Sequence, residues 1–459
     1  MQATHCVAGA GILFAGGQPW EETGRAPRSS HSREDYRVTF NWIERSLSRR
    51  TFLKGTAGVS TALSGFPIPA LAQSSEVTII SAESNANTAE VLRRIAADFG
   101  KAAGTKVVVN NMDHEAHKTA IRNYLVAGAP DVCFWFSGNR MRAFVTRGLF
   151  DDISDLFEKE KYADVLGATA GSVTVEGKQY GLPTGGTLWG MFYRKDVFDE
   201  HGLKVPTSWD DLLAFGEKCK SASLTPVAMG TKDLWPAAGW FDQMNLRING
   251  LDKHFALMNG EMAYTDETLK PVFEHWEELI KQGFFTPDHT SFGWQEAGAF
   301  LAQKRAGMMN LGAFVRAAFP QQDLPQLTFA PFPVIEDGLG RYEEFSLNSV
   351  HIPTNAKNKP GAREFLTHFY KPEKLAAYLE PGGNVPPRND LPPSKDPLVN
   401  AAVESLKAVA GTSQFYDRDT DPDMAQAGLV GFQEFMARPE RRDAILQRLE
   451  GTRRRIFKL

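Results

Sequence analysis

Glu76-Val-Thr-Ile-Ile-Ser81, Thr88-Ala-Glu-Val-Leu-Arg-Arg-Ile-Ala-Ala-Asp-Phe-Gly100 and Asp131-Val-Cys-Phe-Trp-Phe136 decide the class of fold. The first stretch is a short β-branched run, which favours a strand. The second sets Val91, Leu92, Ile95, Ala96 and Phe99 at helical spacing and stops at Gly100. Lys106 to Asn110 reads as a second strand, and a helix from about Glu115 to Ala127 leads into the third, apolar strand. Strands alternating with helices predict an α/β fold in which a parallel sheet is covered on both faces. Ligands of such sheets sit beyond the carboxyl ends of the strands. The loops to watch are therefore Ala82 to Ala86, Asn111 to Glu115 and Ser137 to Arg140.

Further along, Val173 to Pro183 and Leu188 to Tyr193 are strand-like runs joined by the Gly-rich Thr184 to Thr187, the pattern of a chain crossing between lobes. Thr207, Ser208 and Asp210 are placed to cap a following helix. Helical patterns recur at Thr268 to Gln282 and Trp294 to Arg305, before a short strand at Ala306 to Asn310. A second α/β unit is expected there. Ser346 to Pro353 returns to strand character, a helix follows from about Pro360 to Tyr370, and Pro381 to Pro387 breaks the pattern.

Composition narrows the class. With 459 residues, 42% hydrophobic and 23% charged, the chain is ordinary globular protein of two or three domains. A net charge of -4 offers no basic excess for a phosphate backbone, so nucleic acid is excluded as a partner. Three Cys without a C-x-x-C pair exclude a disulfide framework and a thiolate zinc site. Cys133 and Cys219 are expected as two separate buried thiols.

Ser48-Arg49-Arg50-Thr51-Phe52-Leu53-Lys54, a mild apolar run from Gly55 to Leu71 and the small-residue site Ala70-Leu71-Ala72 follow one another as in a twin-arginine export signal. The run is too short and too rich in Gly, Ser and Thr for a membrane span, which needs roughly 20 apolar residues. Residues 1–72 are assigned to this signal region, and residues 1–47 exceed what a signal needs, as if translation starts downstream of Met1. Cleavage after Ala72 removes eight basic and five acidic residues, leaving 43 against 50 and a mature charge of -7. The mature product is expected to be periplasmic and soluble.

The order of further segments resembles a family. Ala127-Gly-Ala-Pro-Asp131 before Val-Cys-Phe-Trp135, Arg147-Gly-Leu-Phe-Asp-Asp-Ile-Ser-Asp155, Gly177-Lys-Gln-Tyr-Gly-Leu-Pro183 and Phe192-Tyr-Arg-Lys-Asp196 come first. Pro206-Thr-Ser-Trp-Asp-Asp-Leu212, Phe300-Leu-Ala-Gln-Lys-Arg-Ala-Gly-Met308 before Gly312-Ala-Phe314, and Thr354 to Leu366 follow. Together they resemble the solute-binding proteins of carbohydrate ABC importers, the family of the maltose-binding protein. The resemblance implies a two-lobed fold, each lobe a mainly parallel sheet flanked by helices, with two or three hinge crossings that close on a solute. It implies a first lobe of 76–183 plus 334–378 and a second of 184–333 plus 379–459. It also implies a small carbohydrate or polyol as ligand, permease subunits of an inner-membrane ABC importer as partners, a monomer, and no cofactor, metal or catalytic residue.

A sugar offers vicinal hydroxyls and an apolar ring face, so its site needs planar polar groups and aromatic surface. Trp135 ends a buried strand where the family stacks an aromatic on sugar, and Trp189 follows the crossing. Asp233 and Trp235 lie in a segment that supplies an acid and an aromatic in the family, and Phe314 stands where it often has Trp. Ser84, Asn85, Ser137, Asn139, Thr187, Asn348 and Asn384 are the polar candidates, with His114 beside them. Trp209 and Trp276, on helical patterns, read as scaffold. Ser137-Gly-Asn-Arg140 and Thr187 replace charged residues of the maltose pattern, which argues against maltose.

Other chemistry is set aside on spacing. His114-Glu-Ala-His117 pairs its histidines at i, i+3, whereas a zincin needs i, i+4; a helix-start pair facing solvent or solute is expected instead. Asp417, Asp419, Asp421 and Asp423 alternate like a calcium loop, but Pro422 and Gly428 occupy positions that need Gly and Glu. Asp421-Pro422-Asp423 reads as a helix start. The competing class is an exported lyase or glycosidase, since 55 acidic residues could include a catalytic carboxylate pair.

Overall fold

The computed structural model describes residues 76–459; the twin-arginine motif, its cleavage site and residues 1–47 lie outside the described residues. Strands β1 (Glu76–Ser81), β2 (Lys106–Asn111) and β3 (Val132–Phe136) start the main sheet, with β1 parallel to both neighbours. The helix Ala86–Ala103 connects β1 to β2 and buries Val91, Leu92, Ile95, Ala96 and Phe99, as the spacing predicts. It runs past Gly100. The left-handed position that ends it belongs to Gly104, with φ 64°, whose N–H returns to the Gly100 carbonyl.

A small hairpin of β4 (Thr174–Val175) and β5 (Lys178–Gln179) precedes β6 (Leu182–Arg194). Then come β7 (Thr225–Val227), β8 (Ala306–Gly312), β9 (Leu327–Ala330), β10 (Tyr342–His351) and β11 (Gly411–Ser413). The sheet order is β2-β1-β3-β10-β6-β8-β7, with β11 on β10 and β9 on β6. Two strands carry it from one lobe to the other. β6 pairs with β10 through Leu182 to Leu188, then with β8 and β9 from Trp189 onward. β10 pairs with β3 through Asn348 to His351 and with β11 through Tyr342 to Glu344. The sheet is consequently mixed rather than mainly parallel, because β6 meets every neighbour antiparallel, as β10 meets β3.

The Gly-rich stretch does not interrupt the strand as the sequence suggests; it lies inside β6. A Cβ on Gly186 would sit 2.1 Å from the Phe345 ring, and one on Gly185 2.4 Å from Leu379. Only glycine lets the two crossing segments approach this closely. Asn384-Val385 packs alongside the crossings, where Gly186 and Val385 exchange backbone hydrogen bonds of 2.9 and 2.7 Å, and the chain passes to the second core only between Leu391 and Leu398.

Two apolar cores flank the crossings. One runs from Val77 to Leu182 and resumes from Val350 to Leu379. The other spans Trp189 to Phe332 and takes in Phe415, Tyr416 and the helices Pro422–Ala437 and Arg442–Phe457. Its centre is the helix Pro236–Met258, buried on nearly all sides and kinked at Gly250, where φ is 75°. Ser208 caps the helix Trp209–Ser221 in a box with Asp211, and Asp421 caps Pro422–Ala437 with Pro422 at its start. Cys133 and Cys219 are buried and unpaired, one in each core. Trp276 is fully buried, and Trp209 donates Nε1 to Glu278 at 3.0 Å. No helix among the described residues is long and apolar enough to cross a membrane.

Candidate functional site

The carboxyl ends of β1 and β3, the crossing strands and the segment around Phe415 enclose a cavity of about 160 Å³. Its second-lobe wall is aromatic. Trp189, on β6, stacks on Phe415 at 4.6 Å and 26°, while Trp294 and Phe314 meet edge to face at 5.1 Å. Trp235 lies 6.0 Å from Phe314 and 6.1 Å from Trp189. Its placement follows from Leu234, a non-glycine residue held at φ 65°, which turns the chain into the helix beginning at Pro236. The indole Nε1 of Trp235 is buried without a protein partner.

The first-lobe wall carries Trp135, Phe136 and His114. Trp135 differs from the sequence expectation in degree. It borders the cavity, yet is 5% exposed and packs on His117, Phe136 and Phe144 at 5.3, 4.7 and 5.6 Å. Its ring belongs to the core as much as to the cleft. The His pair also divides. His114 lines the cavity, and its pKa falls to about 3 because burial, then Lys118 and Arg418, oppose a further charge. His117 also borders the cavity, but it is buried and both ring nitrogens are engaged, with the Phe134 carbonyl at 3.0 Å and the Tyr124 hydroxyl at 2.8 Å.

Of the remaining candidates, Ser84, Asn85, Thr187, Asn348 and Asn384 also reach the cavity. Thr187 donates to Asn384 Oδ1 at 3.2 Å, and Asn85 caps its helix through Asn87 N and Thr88 N. Three do not reach it. Ser137 is buried with its hydroxyl on the Leu347 carbonyl at 2.8 Å, and Asn139 donates to the Asp419 carbonyl at 2.5 Å. Asp233 lies beside Gly293, and its backbone carbonyl accepts from Trp235 N at 2.8 Å.

Sequence reasoning missed the charged part of the site. Glu83 accepts the Tyr378 hydroxyl, and burial outweighs that bond to raise its pKa. Asp417 opposes Lys118 and Arg140; burial would raise its carboxyl, but Arg140, Lys118 and Arg418 together hold it below the usual range. Arg418 donates to the Leu347 carbonyl at 3.3 Å and to Asn348 Oδ1 at 3.2 Å, and lies over Phe136 at 4.2 Å. Burial depresses its pKa to about 10, against the pull of Asp417 and Glu344, and its Nε has no protein partner. Of the Asp417 to Asp423 alternation, Asp417 lines the cleft, whereas Asp421 caps the helix Pro422–Ala437 as the sequence suggests.

Aromatic faces on both sides, donors and carboxylates between them, and a sheet that crosses beneath define a two-lobed solute-binding protein. Comparison with known proteins gives the same class. Residues 85–376 match the bacterial extracellular solute-binding protein family, and the chain belongs to it. It is 25% identical over 300 residues to an uncharacterized ABC transporter extracellular-binding protein of Pyrococcus horikoshii, covering 63% of this chain and 66% of that one. A probable sugar-binding periplasmic protein of Mesorhizobium japonicum is 24% identical, over 61% of this chain and 67% of the relative. The chain thus spans about two thirds of the length of these curated relatives. Among solved structures, AcbH, a bacterial solute receptor with an exclusive preference for β-D-galactopyranose, superposes with a TM-score of 0.80 and 32% identity. That match covers 83% of this chain and 99% of AcbH. A chitin oligosaccharide binding protein shares the fold with a TM-score of 0.75.

Proposed function

We propose that the protein captures a single sugar ring outside the cytoplasm and delivers it to the permease subunits of an ABC importer. The observation that carries this is the cavity itself. At about 160 Å³ it is on the scale of the ~150 Å³ cavity known to accept one benzene ring, a size that suits a single ring better than a chain. Its aromatic walls suit the C–H face of a pyranose, and the unpaired Trp235 Nε1 and Arg418 Nε are donors suited to its oxygens. The likeness to a galactopyranose receptor supports a hexose. We place the lobes near 76–183 plus 348–391 and 184–344 plus 397–459, closing as a monomer about the crossings. The sequence-based limits of 334 and 378 move because Val334 N bonds the Thr207 carbonyl, Tyr342 to Glu344 pair with β11, and Leu379 and Leu391 pack on the first core. The protein is exported by the twin-arginine route, is cleaved after Ala72, and acts in the periplasm without cofactor or metal.

Isothermal titration of mature protein with D-galactose, D-glucose, D-xylose and maltose tests this. One monosaccharide should bind at one site with maltose silent; binding of maltose alone would overturn the size argument. The alternative of an exported lyase or glycosidase makes a separate expectation, turnover of a glycoside. Release of p-nitrophenol from a p-nitrophenyl galactoside would establish that reading in place of transport.

A further inference from the structure

The segment Gln414 to Asp419 belongs to the second lobe. Phe415 and Tyr416 lie in its core, Tyr416 N donates to Asp242 at 2.7 Å, and the Tyr416 and Tyr264 hydroxyls meet at 2.5 Å. Its outer edge, however, is gripped by the first lobe. Arg140, at the start of the helix Asn139–Val145, donates Nε to the Asp417 carbonyl at 2.7 Å and Nη2 to the Asp417 carboxylate at 2.8 Å. Asn139 holds the Asp419 carbonyl, and Lys118 approaches the same Asp417 oxygen at 3.7 Å. Every one of these contacts is made directly between protein atoms of opposite lobes.

The pair is well shielded: the Arg140 side chain is 15% exposed and that of Asp417 6%. A shielded Arg that bonds both the carboxylate and the backbone carbonyl of one residue makes a strong, direction-specific contact, and separating it deprives Arg140 of its carboxylate partner. Arg140 does not line the cavity, whereas Asp417 and Arg418 do. Its action on a solute therefore passes through the segment that it holds.

We propose that Arg140 is a positioning residue that sets the closure equilibrium: by gripping Asp417 it draws the lobes together before a solute arrives and presents Asp417 and Arg418 to the incoming ring. This rests on the reading of the chain as a hinged binding protein, but not on which sugar it takes. The grip lowers the cost of closure that the solute would otherwise have to meet, so affinity and the closed population of the free protein rise together.

The test is an interlobe distance in the mature protein. Spin labels go on Arg94→Cys and Lys281→Cys, exposed positions on opposite lobes, while the native Cys133 and Cys219 are buried from the reagent. Without sugar, a closed population should be present and should fall about fivefold or more in Arg140→Gln, the lower end of measured coupling between sites. Arg140→Lys should restore part of it, because the charge remains while the two-pronged contact is lost. Asn139→Ala, which removes one hydrogen bond, gives a milder variant should Arg140→Gln fold poorly. Identical sugar-free distributions in wild type, Arg140→Gln and Asn139→Ala overturn the proposal. If D-galactose still shortens the distance in all of them, the hinged reading survives that result; a distance insensitive to sugar and to substitution removes both.

Discussion

Trp189 and Phe415 stack at 4.6 Å although 226 positions separate them, which ties the crossing strand β6 to the segment that roofs the cavity. The stack leaves one aromatic wall shared between a hinge strand and a second-lobe segment. Substitutions near it should therefore separate into those felt by the solute and those felt by the fold.

Trp235→Phe keeps the ring and removes only an indole N–H that no protein group uses. Affinity for the cognate sugar should fall by about 0.5–1.5 kcal/mol, the net contribution of one hydrogen bond, with the sugar-free melting temperature unchanged. Titration calorimetry reads the first and thermal unfolding the second. Full affinity in the variant would mean that no solute oxygen meets Nε1.

Trp135→Ala should act differently. Its ring packs on His117, Phe136 and Phe144, so truncation should cost about 3–5 kcal/mol of folding stability in denaturant titrations, as for other buried aromatics. A loss confined to binding would place the ring in the cleft alone.

Gly186→Ala puts a methyl 2.1 Å from the Phe345 ring. Overpacking of this kind should destabilise by about 1–3 kcal/mol, and Phe345→Leu in the same chain should recover part of it. Additive losses in the double variant would show that the two residues do not compete for that space.

Asp419 should contribute a stabilisation that declines toward neutral pH, opposite in sign to the buried His114, His254 and His351, whose lowered pKa values make stability rise between about pH 4 and 6.5. Burial pushes the Asp419 carboxyl up to about 7, against its bond from Gln414 N, whereas an unfolded Asp titrates near ~3.9. The folded chain thus holds this proton more tightly. Its contribution is complete below about pH 4 and is lost as pH rises through about 7. Buried Asp242 and Glu344, both raised, act in the same direction. Asp419→Asn should shift the slope of melting temperature against pH upward over that window relative to wild type; an unaltered slope would show that Asp419 does not carry this contribution.

Replacing Arg49 and Arg50 by Lys should leave precursor in the cytoplasm, as judged by fractionation. Normal export of that variant would exclude the twin-arginine route.

The first lobe was legible because its signals are local: an alternating strand and helix order, with Val91, Leu92, Ile95, Ala96 and Phe99 spaced along one helix face. The helix Pro236–Met258 escaped notice because it buries Asp242, Gln243, Asn245 and Arg247 along with its apolar residues and carries Gly239 and Gly250, so no periodic apolar face stands out. Ser137 and Asn139 were well placed in sequence but are spent on Leu347 and Asp419, partners more than 200 residues away. Phe415, Asp417 and Arg418 reach the cleft only through that same long-range docking, which no local pattern encodes.

Because β6 and β10 are each shared between the lobes, neither lobe has a complete sheet of its own. Removing one lobe would expose the unpaired edge and the apolar face of the other. Heating should accordingly melt both in a single calorimetric transition whose van't Hoff and measured enthalpies agree, despite the size of the chain. The mechanical consequence is that bending at the crossings is a twist of intact sheet, so opening the cleft need not break a strand pairing.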